Sequence, residues 1–215
     1  MDTLPLSFQR VLRTSRVKHF PKDQIIQYIG DTVNEVFFIK TGAVKIYDID
    51  EQGNEKILHI VKTPAIVPFA FFSGEGARAR WFYSALTDCD VYVMDREQLR
   101  RTMLASGKAA LGLVENFSTD VHELLVRLSS LGKTNTHDKL IAALKFLQAR
   151  HAEQRPSGWW RVSFPVNHQL LADMVGVTRE SVSVVMKELQ DKKIIRNPRL
   201  TILEIRKERL HGEGA

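Results

Sequence analysis

The sequence predicts an α+β fold: an N-terminal jelly-roll β-sandwich or barrel, one long helix, and a C-terminal winged helix-turn-helix. Three observations carry that prediction. Short apolar strands alternate with Gly, Asn and Asp turn signals as far as Met94. A heptad of apolar residues then runs unbroken from Ala110 to Leu131. Near the C-terminus, two capped helices flank a glycine turn. The corresponding division is 1–106, 107–133 and 134–215.

The strand region is read from its punctuation. Val36-Phe37-Phe38-Ile39 is followed by the turn Lys40-Thr41-Gly42 and then by Ala43-Val44-Lys45-Ile46-Tyr47. Asp50-Glu51-Gln52-Gly53-Asn54 leads into Lys56-Ile57-Leu58-His59-Ile60-Val61. Turns at this spacing suit an antiparallel sandwich or barrel.

In the long helix, Ala110, Val114, Phe117, Val121, Leu124, Leu128 and Leu131 recur at intervals of 4, 3, 4, 3, 4 and 3. At ~1.5 Å per residue the helix is about 37 Å long. Glu115, Asp120, His122, Glu123 and Arg127 occupy other positions, so the seam Val114, Phe117, Val121, Leu124, Leu128 and Leu131 is read as pairing two copies in a parallel homodimer. A helix lying on its own domain is the alternative. Gly132-Lys133-Thr134-Asn135-Thr136 breaks the pattern and forms the expected hinge. Asp138 suits the first turn of the next helix, 139–152, whose apolar face is Leu140, Ala143, Leu144 and Leu147. Arg155-Pro156-Ser157-Gly158 ends it.

Charge points to a partner. Of 31 Lys/Arg and 25 Asp/Glu, 14 and 9 fall from Asp138 onward, against 17 and 16 in residues 1–137. The basic excess in the last third suits a polyanion, although a solvated basic surface would also carry it. No stretch approaches the ~20 apolar residues that span a bilayer. The opening MDTLPLSFQRVL lacks the basic and apolar regions of a secretion signal, and one cysteine, Cys89, forms no intramolecular disulfide. A cytoplasmic protein without membrane contact is expected. No nucleophile and base or paired carboxylates call for catalysis.

Asn167 can cap a helix from His168 to Val175, Gly176 supplies the turn, and Thr178 can cap the helix beginning at Arg179. A small Ala172 and Val182 let the two helices pack. The second helix of such a motif enters the major groove by its first residues. Arg179 can reach guanine O6 and N7, Glu180 can accept from cytosine N4, and Ser183 can meet a base edge or a phosphate. The contact set of the two helices and their caps is Asn167, Thr178, Arg179, Glu180, Ser181, Ser183 and Lys187. Two strands about a turn after Ile194 add Arg196 and Arg199 for phosphates.

The order of sandwich, long helix and winged helix-turn-helix resembles the CRP/FNR family of bacterial transcription regulators, over residues 16–205. Gly176-Val177-Thr178-Arg179-Glu180-Ser181-Val182 is similar to the family's G-x-[ST]-R-E-[ST]-V signature. Gly30-Asp31, Gly42-Ala43-Val44-Lys45 and Cys89-Asp90-Val91 resemble its sensor-domain strands and turns, which are of cyclic-nucleotide-binding type. The resemblance implies a homodimer on an inverted repeat of double-stranded promoter DNA, with RNA polymerase as protein partner. A ligand-binding or protein-interaction module with a vestigial DNA-binding portion is the competing reading.

Two departures matter. Members reading TGTGA-like half-sites carry a second arginine five residues after the first, where this chain has Val184, so a changed half-site is expected. Cyclic-nucleotide-binding members use a Gly-Glu pair on the ribose and an arginine on the phosphate. Here Val67-Pro68-Phe69-Ala70 replaces the first, and Ala79, between Arg78 and Arg80, stands at the second; Glu75 lies too near Arg78 to restore the spacing. No cofactor is predicted. Cyclic AMP loses its ribose acid, Cys89 alone cannot hold an iron–sulfur cluster, and His59 on a strand is read as structural, not as a haem ligand. No metal site is expected. Phe69, Phe71, Phe72, Arg78, Arg80, Trp81 and Tyr83 are the effector-pocket candidates. Either their own side chains fill the pocket or it takes an apolar or aromatic effector.

Overall fold

The computed structural model describes residues 12–74 and 76–212. The opening residues 1–11 and Glu75, both read in the sequence, lie outside them. The chain divides into two compact units, one drawn from Met1–Asp48 and Leu58–His122, the other from Ile49–Ile57 and Glu123–Ala215.

The first unit is built on β1 (Arg16–Phe20), β2 (Ile25–Gln27), β3 (Glu35–Thr41), β4 (Ala43–Ile49), β5 (Glu55–Lys62), β6 (Ile66–Val67), β7 (Phe82–Ala85) and β8 (Cys89–Asp95), except that Ile49 at the end of β4 and Glu55 to Ile57 at the start of β5 fall in the second unit. They form two four-stranded sheets, ordered β1-β8-β3-β6 and β2-β7-β4-β5. Two separate sheets make this a sandwich, and the barrel alternative falls away. Side chains from both sheets, among them Phe37, Ile39, Val44, Ile46, Tyr83 and Val91, share one core. Val36 to Ile39 and Val91 to Met94 are buried consecutively, without alternation. Such runs belong to strands covered on both faces. Here the cover includes Leu99, Met103, Ala109 and Leu113 from the helices that follow.

Gly42 turns β3 into β4 at φ +88°, where an L side chain is strained, and a Cβ there would meet the Asp88 carbonyl oxygen and lie 2.7 Å from Cys89 Sγ. Gly42→Ala is therefore expected to cost on the order of 2–3 kcal/mol, read from denaturant unfolding. A variant as stable as the parent would contradict this close approach. Cys89 itself is fully buried, and its Sγ lies 3.1 Å from the carbonyls of both Ala43 and Thr87, which share its one thiol proton. Burial raises its pKa, so the group stays an inert thiol.

Helix α1 (Arg96–Ala105) was not expected from the sequence. Asp95 caps it by accepting from the backbone N–H groups of Glu97 and Gln98, and Leu99 and Met103, four apart, are its buried residues. That cap and that spacing were the available signal.

Helix α2 (Gly107–Leu131) has the predicted extent, but its faces differ from the predicted seam. Ala109 and Leu113 are buried, and Phe117 packs edge-on to Phe69 and Phe71 at 5.6 and 5.9 Å. The exposed apolar stripe is instead Leu111, Val114, Val121, Leu125 and Leu128, between 48% and 66% exposed. Val114, Val121 and Leu128 of the predicted seam lie on it, with Leu131 at its end; Phe117 and Leu124 do not, being half-buried. The adjacent pairs Ala110-Leu111 and Leu124-Leu125 offer two apolar registers one residue apart, and spacing alone cannot choose between them. Among the described residues no helix is long and apolar enough to cross a membrane.

In the second unit, α3 (Thr136–His151) is capped by Asn135, whose side chain accepts from the Asp138 N–H at 2.7 Å. Leu140, Ala143, Leu144 and Leu147 are buried as the spacing predicts. The helix ends at His151, and a hairpin of β9 (Ala152–Gln154) and β10 (Trp160–Val162) follows. After α4 (His168–Val175) and α5 (Arg179–Asp191) come β11 (Ile195–Arg199), β12 (Ile202–Ile205) and α6 (Lys207–Gly212). The third sheet is ordered β11-β12-β10-β9.

Candidate nucleic-acid interface

The turn between α4 and α5 follows from single residues. Gly176 adopts the left-handed conformation, φ 68° and ψ 45°, and its N–H reaches the Ala172 carbonyl at 2.8 Å. Asn167 caps α4 by accepting from Leu170 N–H at 2.7 Å, and Thr178 caps α5 by accepting from Ser181 N–H at 3.2 Å. Ala172, Val175, Val182 and Met186 are buried. His168 Nδ1 lies 2.7 Å from Ser183 Oγ, which donates to the Arg179 carbonyl at 2.9 Å; the proton of the first contact therefore sits on the imidazole.

These bonds sort the predicted contact residues. The Asn167 carbonyl oxygen, Thr178, Ser181 and Ser183 are engaged in fixing the motif, Thr178 and Ser181 also pairing through their hydroxyls at 3.0 Å. Ser183, read as meeting a base or phosphate, is instead half-buried between the two helices. Arg179, Glu180 and Lys187 are exposed, and their side chains have no partner among the described residues. Val184, one turn on from Glu180, is 70% exposed.

The wing, β11 and β12, is tied to α5 by Gln190 Nε2, which donates to Asn197 Oδ1 at 2.8 Å, while Asn197 Nδ2 donates to the Ile202 carbonyl. Arg199 is exposed, and Leu200 at the tip is 94% exposed. A cleft of about 750 Å³ between wing and helices is lined by Asn167, His168, Arg179, Arg199 and Leu200. Arg196 has a structural partner that the sequence reading did not include: its guanidinium donates to Glu204 at 2.6 Å and lies over the Trp159 ring at 4.3 Å. It braces the wing through Nε while its side chain stays half exposed.

Glu204 was missed by sequence reasoning, the signal being a lone acid facing Arg196 and Arg161 across the sheet. It is buried and accepts from Arg161 at 2.7 Å as well as from Arg196. Burial opposes its charge, but the hydrogen bonds from Arg196 and Arg161 outweigh it and hold the carboxyl below its ordinary range. With the folded pKa depressed, its contribution is complete above the unfolded value of ~4.3 and is lost as pH falls through the folded value. Glu204→Gln is expected to lower stability by about 1–2 kcal/mol at neutral pH, discounted for the half-exposed arginines. The gap in unfolding midpoint between parent and variant should close in acid; a constant gap would contradict the pairing.

In the first unit, the effector-pocket candidates divide. Phe69, Phe71 and Tyr83 turn inward, with Phe69 and Tyr83 edge-on at 6.4 Å and the Tyr83 hydroxyl accepting from Phe69 N–H at 3.1 Å. Burial pushes the Tyr83 phenol up to about 12. Trp81 is half-buried against this core, and Phe72 is 53% exposed. Ala77 and Ala79 are buried while Arg78 and Arg80 are exposed. Arg78 donates to the Gly30 carbonyl at 2.8 Å. His59 is buried, its Nε2 3.8 Å from an Asp120 carboxylate.

Residues 17–106 match the family model of the cyclic nucleotide-binding domain, and residues 138–209 that of the Crp-like helix-turn-helix domain. The chain is 23% identical over 182 residues to the global nitrogen regulator of Synechocystis sp., covering 83% of this chain and 80% of that protein. It is 20% identical over 177 residues to the cAMP-activated global transcriptional regulator CRP of Haemophilus influenzae, covering 82% and 78%. Among solved structures, FixK2 from Bradyrhizobium japonicum superposes with a TM-score of 0.79 at 19% identity, covering 94% of this chain and 98% of that one. A CooA mutant from Carboxydothermus hydrogenoformans also gives 0.79, at 21% identity, covering 100% and 97%.

Proposed function

Because this chain belongs to the CRP/FNR family of transcription regulators, we propose that it works as a cytoplasmic homodimer reading an inverted repeat in promoter DNA, with RNA polymerase as its protein partner. The observation that carries the reading is the outer row of α5. Arg179, Glu180 and Lys187 are held out with no partner among the described residues, next to a cleft that Arg199 also lines. Arg179, Glu180 and Val184 supply base contacts, while Lys187 and Arg199 neutralise phosphate. Val184 offers only an apolar contact to a thymine methyl. Pairing of two α2 stripes sets the separation of the recognition helices. Selection from a random duplex pool at stated salt tests this. We expect an enriched inverted repeat with half-site centres about 34–36 Å apart. Enrichment of no paired motif would sink the reading.

We infer further that DNA binding does not depend on cyclic AMP. Pro68 and Phe69 supply no acid for a ribose, and Arg78 and Arg80 alternate with the buried Ala77 and Ala79, away from the core. Phe69, Phe71, Tyr83 and Phe117 pack on one another in the space between. Saturating cyclic AMP should change operator affinity less than about twofold. A tenfold gain, worth about 1.4 kcal/mol, would overturn the inference.

A further inference from the structure

Within the second unit, one buried charge lacks a counter-charge. Arg127 of α2 is only 8% exposed, and its Nη2 donates to the carbonyls of Ile57 and, at 2.8 Å, Met174. Both acceptors are neutral. Its Nη1 is buried with no hydrogen-bond partner, and no carboxylate pairs with the guanidinium, among the described residues. Buried guanidinium groups are ordinarily matched by an anion, because desolvation without one is costly.

The same arginine lines a cavity of about 380 Å³ formed by α2, α3 and α4. Val126, Leu131, Phe146 and Met174 give it apolar walls, and Lys139 and Lys145 also line it. Glu123, also on the wall, is taken by Arg150. The size falls in the range of small-molecule sites, which combine apolar walls with a few fixed polar groups.

We propose that this cavity binds a small amphipathic carboxylate. The carboxylate accepts from Arg127 Nη1 and supplies the missing negative charge, while its apolar body lies against Val126, Leu131 and Phe146. Burial lowers the Arg127 pKa to about 10, so the group is still a cation at neutral pH. The site is separate from the aromatic cluster of the sandwich. It also has a route to the DNA-reading elements, since Arg127 holds the carbonyl of Met174, two residues before the Gly176 turn. An occupant would secure α2, α3 and α4 in one arrangement.

Calorimetric titration of the full chain at neutral pH tests the proposal, using octanoate and 3-phenylpropanoate as aliphatic and aromatic probes and 1-octanol as the uncharged control. No DNA is present, so the outcome is independent of the DNA-binding reading. At least one carboxylate should bind, and the alcohol should bind at least about tenfold more weakly than octanoate, the scale of a hydrogen bond to a charged group. Arg127→Gln should reduce carboxylate binding to the level of the alcohol. Because that variant also loses two structural bonds, Ala142→Trp serves as a second test. Ala142 is a half-buried wall residue, and the indole fills the cavity while leaving Arg127 in place. It should abolish binding without lowering the unfolding temperature. Absence of heat with both carboxylates, equal affinity for octanol and octanoate, or undiminished binding by Ala142→Trp would each overturn the proposal.

Discussion

Leu125→Glu is expected to turn a dimer into a monomer while leaving the fold of each chain intact. Leu125 is 60% exposed on α2, in a row with Leu111, Val114, Val121 and Leu128. From Leu111 the intervals are 3, 7, 4 and 3, and the missing heptad position within the 7 is Ser118. A surface charge at this place costs an isolated chain little, within about 0.5 kcal/mol. In a symmetric seam, however, each copy loses the burial of a leucine, about 1.5–3 kcal/mol. Two copies therefore lose about 3–6 kcal/mol, a rise in dimer dissociation constant of about 10²–10⁴-fold. Sedimentation at micromolar concentration reads the mass, and thermal unfolding reads the fold. Leu124 gives the contrast: half-buried, it should affect chain stability more than association when cut to alanine. If Leu124→Ala dissociates the dimer and Leu125→Glu does not, the exposed stripe is not the seam. The monomer should also lose operator affinity, since two linked half-site contacts become separate events.

The difference between Leu124 and Leu125 illustrates what the sequence could and could not say. Heptad spacing located α2 from Gly107 to Leu131, because apolar residues recurring every three or four positions over that length fit a helix and no strand or loop. It could not say which of two adjacent apolar rows faces outward, since that depends on Phe117 finding Phe69 and Phe71, residues about fifty positions away. The helix-turn-helix was legible for the opposite reason. Its determinants, Asn167, Ala172, Gly176, Thr178 and Val182, are local and act through caps and one glycine conformation. Arg196 and Ser183 are assigned to DNA on type and position alone, and neither signal shows their long-range partners, Glu204 and His168. Arg127 stood in the sequence as one charge among several off the seam. Its burial comes from contacts with Ile57 and Met174 that no spacing rule connects.

Arg179→Ala separates base reading from the rest of the interface. The side chain is exposed at the first position of α5 and makes no bond to other described residues, so its removal should shift the unfolding temperature very little. Against the selected operator each half-site should lose about 1–3 kcal/mol, the worth of a bidentate contact to guanine. Affinity for random duplex should fall far less, because a phosphate-directed charge accounts for only a part of that binding. The ratio of specific to random affinity is thus the quantity to measure, at several salt concentrations. Lys187→Ala gives the opposite signature: weaker binding to both duplexes, and a salt slope reduced by about 1 for each copy. Val184→Arg extends the test, because the position is 70% exposed and lies on the same outward row. A guanidinium there should favour an added guanine in the half-site, so selection with this variant should return an altered repeat. Were Arg179→Ala to lower specific and random affinity equally, Arg179 would be a phosphate contact, and base reading would have to come from Glu180 and Val184.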